Sequence, residues 1–269
     1  MIGPGSATWR NAVDWRLLLG SGRALLLQVA HPTVGAGVAD HSDFRKRPWQ
    51  RLRRTIDSLM LQEYGGERAY TEARRLRELH KGFKGVDQHG QRYSALDPDA
   101  YCWVHATLFE AGVDLHANFG PPLPLAEQHR LYAEWRWLGE VLGIKASRMP
   151  ATLTGFWEYF RHMVADELAD NKSVRDVLAS LADRKPVKPP WPHLPDPVWR
   201  LAGPVASGVL MTATVGTLPP PFRSRLGLQW TKADELRLRA LKRAVRVGMP
   251  LVPPRLRYHP MALAARRCR

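Results

Sequence analysis

Apolar residues recur along this chain at intervals of three and four, the spacing of one face of a helix, and no stretch alternates cleanly between apolar and polar. The pattern predicts a mainly helical protein. An opening helix is expected over 9–19, ended by Gly20-Ser21-Gly22. A segment apolar nearly all round, as a buried helix reads, restarts at Arg23 and stops at His31-Pro32, because a residue before proline is pushed out of the α region. Residues 49–64 form the next helix, with Leu52, Ile56, Leu59 and Met60 as its core face and Gly65-Gly66 as its stop. Over 67–81, Ala69, Ala73, Leu76 and His80 make the stripe that turns inward, and Gly82 and Gly85 mark the end. Residues 86–97, with Gly90, read as a hairpin or an irregular loop.

Asp97-Pro98 is an N-cap followed by a proline at the first helical position, and it opens a long helix to about 119. Further helices are expected over 125–142 and 154–169. Seven prolines between Pro186 and Pro204 predict an irregular connection wrapped over the surface. Helix returns over 205–218, and the last helix, 232–247, sets Leu236, Leu238, Leu241 and Val245 among Arg237, Arg239, Lys242, Arg243 and Arg246. No repeat period is visible. The expectation is one all-α domain spanning residues 1–269.

At 269 residues and 45% hydrophobic, the chain can bury a large core. Its net charge of +15 is concentrated late, since residues 222–269 hold thirteen Lys/Arg against only Asp234 and Glu235. A basic amphipathic helix of this kind can dock on its own domain, bind a partner or lie on anionic lipid. No aromatic-interleaved basic motif or nucleic-acid fold signature accompanies it, so no nucleic-acid partner is expected. Cys102 and Cys268 are too few for a disulfide framework or a zinc site, and no Cys-x-x-Cys-His is present for covalent haem. The N-terminus has no basic region ahead of an apolar one, and Gly20, Ser21, Gly22 and Arg23 interrupt the apolar run 17–30. Neither a signal peptide nor a spanning helix is expected there, which fits a cytoplasmic protein with peripheral membrane contact at most.

The candidate chemistry clusters between residues 28 and 84. His80 is aimed inward, Arg51, Arg54 and Thr55 share one helix face at i, i+3 and i+4, and Gly35 and Gly37 let backbone come close to a neighbour. An inward histidine is more often a satisfied core residue than a ligand, and His31 and His41 have local structural readings. His105 and His116 lie three turns apart, about 16 Å, too far to share one metal ion. His105 reads as a residue behind the site and His116 as surface or structural.

The segments AHPTVGAGVADHSDF, RLRRT, LHKGFKG, YSALDP followed by WVHATL, and the late LGLQWT and RYHP stand in an order that resembles the haem-dependent oxygenase family of latex-clearing (rubber oxygenase) proteins and MpaB-type oxygenases. The resemblance covers most of the chain. It implies a globin-like helical bundle around a non-covalent haem b, with His80 as the proximal iron ligand. It places Arg51, Arg54 and Thr55 on the distal side, with Arg54 where the rubber-cleaving branch looks like lysine. Lys84 stands where a family arginine would meet a haem propionate, and Asp40 is the nearest match to the distal acid. The partners so implied are dioxygen and an apolar, unsaturated substrate such as a polyisoprenoid. Two other readings remain open at this point: a non-catalytic haem or gas-binding protein, and a basic membrane- or nucleic-acid-interacting helical protein.

Overall fold

The computed structural model describes residues 2–12, 14–42, 47–183, 185–190 and 194–267. The helices are α1 (Ala7–Arg10), α2 (Leu17–Ala30), α3 (Pro32–His41), α4 (Pro48–Tyr64) and α5 (Arg68–Lys81). A two-stranded antiparallel hairpin follows, β1 (Lys84–Val86) with β2 (Arg92–Ser94), Gly85 opposite Tyr93. Then come α6 (Pro98–Phe119), α7 (Leu125–Val141), α8 (Leu153–His162), α9 (Lys172–Leu181), α10 (Asp196–Thr217), α11 (Pro220–Arg225), α12 (Lys232–Gly248), α13 (Pro254–Arg257) and α14 (Pro260–Arg267). The all-α reading holds. Of the DHSD and basic-loop calls, Asp43 to Lys46 lie outside the described residues, as does Cys268.

The central helix is α2, and its apolar circumference explains why. Leu26, Leu27, Val29 and Ala30 are fully buried between α6, α9 and α10. Trp103 of α6 donates its indole N–H to the Leu27 carbonyl at 2.9 Å, so burying this ring leaves no donor unsatisfied. Around that crossing Phe109, Tyr132, Phe156 and Phe160 form the aromatic half of the core, with Phe109 and Phe156 edge to face at 4.8 Å. Truncating a ring such as Phe156 to alanine would cost roughly 3–5 kcal/mol.

Three boundaries depart from the sequence expectation, and α3, α9, α11, α13 and α14 are helices it did not anticipate. Gly20-Ser21-Gly22 does not end a helix: α2 runs straight through it, and the chain breaks earlier, between α1 and α2. Gly22 is there for packing, since a Cβ on it would collide with the Thr214 hydroxyl of α10. The expected helix 154–169 changes character at Met163–Glu167, which winds as a π-turn; the carbonyls of Val164 and Leu168 there accept from Arg225. The proline-rich connection is shorter than expected, because α10 begins at Asp196, well inside it. Pro197 falls in the first turn, where a missing N–H costs nothing, and Pro204 sits in the helix interior, where the helix continues past one absent backbone bond.

Charges are buried where α2, α6 and α10 meet. Arg23 pairs with Glu110 and lies 3.6 Å from Asp114, and it also donates to the Thr217 carbonyl that ends α10. The chain's late segments return to its beginning. Asp14, 1% exposed, accepts from both Arg16 and Arg257, and Ala262 and Ala265 of α14 pack on Ile56, Met60 and Tyr64 of α4.

Candidate functional site

Helices α4 and α5 form an antiparallel hairpin about Gly65-Gly66, where Gly66 takes φ +58° to make the turn. The two helices are clasped by Ser58, whose hydroxyl donates to Glu72, while Arg75 grips the same carboxylate through two bonds of 2.7 Å. Arg75 holds the Glu72 carboxyl below its ordinary range, so the clasp is ionised at neutral pH.

Beyond that clasp each helix carries some of the sequence-predicted residues. At 1.5 Å per residue Arg51 stands about 10 Å along α4 from Ser58, and His80 about 12 Å along α5 from Glu72, both away from the turn. Arg51, Arg54 and Thr55 lie within about 60° of Ser58 around α4, while Leu76, Leu79 and His80 lie within about 80° of Glu72 around α5. The two sets therefore lie at a similar level along the hairpin. Arg54 and Thr55 are exposed and Leu79 is 47% exposed, whereas His80 is half-buried and turns toward Phe83 and Tyr101.

His80 turns toward α6 and the start of the β-hairpin. Its ring meets Phe83 and Tyr101 edge to face, each at 5.8 Å. Nδ1 is buried with no well-formed hydrogen bond. Burial pushes the imidazole's pKa down, the Leu76 carbonyl one turn back opposes this and Arg75 adds to it, and the net effect is a neutral ring at pH 7.

From His80 a row of rings leads to Asp40. Phe83 stacks on His41 at 5.1 Å, and His41 meets Tyr93 of β2 at 6.2 Å. The Tyr93 hydroxyl donates to Asp40 at the end of α3, and burial together with that carboxylate pushes the phenol up to about 12. Lys84, exposed at the start of β1, lies on the same hairpin. His80, Lys84 and Asp40 are thus joined through the β-hairpin, with Arg51, Arg54 and Thr55 on the facing helix.

His105 stands apart from this group. It is one turn beyond Tyr101 on α6, but its Nε2 is 2.9 Å from the Trp135 carbonyl, its ring stacks on Trp135 at 5.0 Å, and Trp135 donates back to the His105 carbonyl. Burial lowers its pKa to about 4. It lines a cavity of only about 10 Å³, room for about one water, with Cys102, Tyr132, Met149 and Phe156. His31 joins α2 to α3, and Gly35 lets the Asn171 amide of α9 approach to where a Cβ would lie 2.6 Å away.

Sequence reasoning had no route to Tyr101 as a neighbour of His80, nor to the link from Phe83 through His41 and Tyr93 to Asp40, because separate elements deliver these residues. Among the described residues no group of three or more His, Cys, Asp or Glu could hold a bare metal ion.

A mainly helical protein with a half-buried imidazole near the end of α5, packed against Phe83 and Tyr101, is what the geometry defines. The chain belongs to the family described as ER-bound oxygenase mpaB/B'/Rubber oxygenase, catalytic domain, which it matches over residues 9–247. It is 29% identical over 236 residues to the uncharacterized proteins Rv2237 of Mycobacterium tuberculosis and Mb2261 of Mycobacterium bovis, covering 86% of this chain and 88% of each relative. No solved structure gives a significant match.

Proposed function

We propose that this protein is a haem b-dependent oxygenase acting with dioxygen on an apolar, unsaturated, isoprenoid- or lipid-like substrate, and that His80 would hold the haem iron. One observation carries this reading: a neutral, half-buried imidazole near the end of α5 with a buried, poorly bonded Nδ1, beside Phe83 and Tyr101. The residues fit the group. A ligating histidine needs a free lone pair on one nitrogen and a backbone carbonyl near the other, and the Leu76 carbonyl stands one turn before His80. Phe83 and Tyr101 are apolar neighbours of the imidazole, and Lys84, Arg51 and Arg54 are cations on adjoining elements that could meet a porphyrin's carboxylates.

A haem bound there would supply activation of dioxygen toward a C=C bond. The chain's own part is positioning and charge. Arg51 keeps its proton at any working pH and Thr55 offers a hydroxyl, so this face of α4 would supply donors to developing negative charge; a charge-assisted hydrogen bond of that type contributes roughly 1.5–3 kcal/mol. Asp40, oriented by Tyr93, is the carboxylate available as a proton acceptor at the edge of the site. Arg54 cannot act as a neutral amine ligand, so its position offers no lysine to cap the face opposite His80.

The test is the absorption spectrum of the protein reconstituted with haem, beside His80→Ala and Arg51→Ala. A Soret band that His80→Ala shifts or loses, with Arg51→Ala keeping the band but consuming oxygen at least tenfold more slowly with polyisoprenoid or unsaturated lipid, is the expected result. An unchanged spectrum in His80→Ala refutes the ligand. Full haem loading with no oxygen consumption on any such substrate replaces the oxygenase with a haem or gas carrier.

A further inference from the structure

From the course of α10 and the charge of α12 we infer that this protein has a membrane-docking face, made by the projecting half of α10 and the cationic surface of α12, and that its partner is an anionic lipid bilayer. The inference is independent of the haem reading.

Helix α10 is anchored at its C-terminal third. There Gly22 of α2 packs on Thr214, Leu238 and Trp230 lie where a Cβ on Gly216 would meet them at 2.8 and 2.6 Å, and Arg23 holds the Thr217 carbonyl. The preceding fourteen residues, about 21 Å of helix, run out over the surface. Apart from Trp199, hydrogen-bonded to the Pro186 carbonyl, and buried Gly203, they are largely exposed. Val198, Leu201, Val205 and Val209 are 47%, 80%, 65% and 36% exposed.

These four are not scattered. Their spacing of three, four and four sets them on one stripe, and the same stripe passes through Gly216. The face that α12 covers at the bottom of α10 therefore continues upward, open among the described residues. Over its whole 22 residues α10 is long and apolar enough to cross a membrane, but its buried end is fixed between α2 and α12, so it can lie on a bilayer and not span one.

Charge selects the occupant. Between Val198 and Thr217 the only charged residue is Arg200, so the stripe repels nothing of either sign. The neighbouring α12 has a single buried residue, Leu238, and exposes Arg237, Arg239, Arg243 and Arg246 beside Leu236 and Val247; Arg237 and Arg239 pair with Asp234 and Glu235 of their own helix and Arg246 donates to the Ala117 carbonyl, but six Lys/Arg against two acids leave α12 at +4. An apolar stripe on one helix and a net cationic surface on the helix packed against it match a layer of anionic headgroups over hydrocarbon. A second copy of the chain would bring the same cations together in a like-charge contact, which disfavours self-association through this face.

The experiment is sedimentation of the full chain with phosphatidylcholine vesicles and with vesicles containing phosphatidylglycerol, at low and high salt. Leu201→Glu/Val205→Glu is compared with wild type, and Leu125→Glu, at an apolar position 66% exposed on α7, serves as the control. Binding to the phosphatidylglycerol vesicles is expected, weakened by salt, reduced at least tenfold by the α10 pair and unchanged by the control. Absence of binding to either vesicle overturns the inference. So does binding that the α10 pair leaves intact, or a wild-type dimer in light scattering that the pair dissociates, which would give the face to a second copy. A nucleic-acid complex competing with the vesicles and insensitive to the α10 pair would likewise remove lipid as the partner.

Discussion

His105 tests the distinction between a core histidine and one that serves the site. Its ring is enclosed by Trp135 and the helices α6 and α7, and it is neutral in the folded protein because burial lowers its pKa from 6.5 to about 4. In the unfolded chain it titrates near 6.5. The folded state therefore binds fewer protons below that pH, so the stabilisation is complete above pH 6.5 and is lost progressively as pH falls toward 4. At about 1.4 kcal/mol per pH unit the loss totals roughly 3 kcal/mol across that window. His105→Gln keeps an N–H able to reach the Trp135 carbonyl and removes the ionisation. Urea unfolding of wild type and variant at about pH 7.5, 6, 5 and 4 should give stability curves that converge on acidification, the wild type losing roughly 3 kcal/mol more. Other groups move too, Glu63 among them, whose carboxyl burial pushes up to about 7, but they are common to both proteins and cancel in the difference. Parallel curves would mean that His105 titrates as an exposed histidine, and the packing described around Trp135 would be wrong.

Two further outcomes check the packing. Gly22→Ala drives a methyl into the Thr214 hydroxyl and should destabilise by about 1–3 kcal/mol in urea unfolding, with Gly22→Ala/Thr214→Ala recovering part of the loss; an additive double variant would refute the contact. In a Cys268→Ser background the Cys102 thiol, 3% exposed and pushed up to about 11 by burial, should resist a disulfide reagent at about pH 8 until denaturant is added, and rapid native labelling would contradict its burial.

The elements that the sequence revealed best are those whose period and caps agree. α6 is capped by Asp97, whose carboxylate accepts from Asp99 and Ala100, and α12 by the Thr231/Asp234 capping box, as their residue types lead one to expect. Where the sequence misled, local punctuation lost to tertiary packing. Gly20-Ser21-Gly22 has the composition of a stop, yet the close crossing of α10 makes glycine useful in mid-helix. Pro197 and Pro204 read as breakers, yet one falls where its missing donor is harmless and the other in a helix held at its end by α2 and α12. Of the site, the stripe that aims His80 inward and the shared face of Arg51, Arg54 and Thr55 were legible, because both are properties of a single helix. That these two faces lie at the same level could not be read without the Ser58–Glu72 clasp. Burial was equally hidden: Leu26 and Leu201 are the same residue type in comparably apolar surroundings, and one is wholly enclosed while the other is 80% exposed.

The packing of α14 on α4 has a consequence for how the site comes into being. The Ile56, Met60 and Tyr64 side of α4 is covered by Ala262 and Ala265, and the segment leading to them is tied down by Arg257 to Asp14 across 243 residues of sequence. During synthesis α4 and α5 emerge early and can form their local hairpin at once. The back of α4 stays bare until the last part of the chain is made, so closure of so long a loop is a late event. The helix that carries Arg51 and Thr55 is thus finished by residues outside the stretch that matches the family, and the site matures only after its own residues have long been in place.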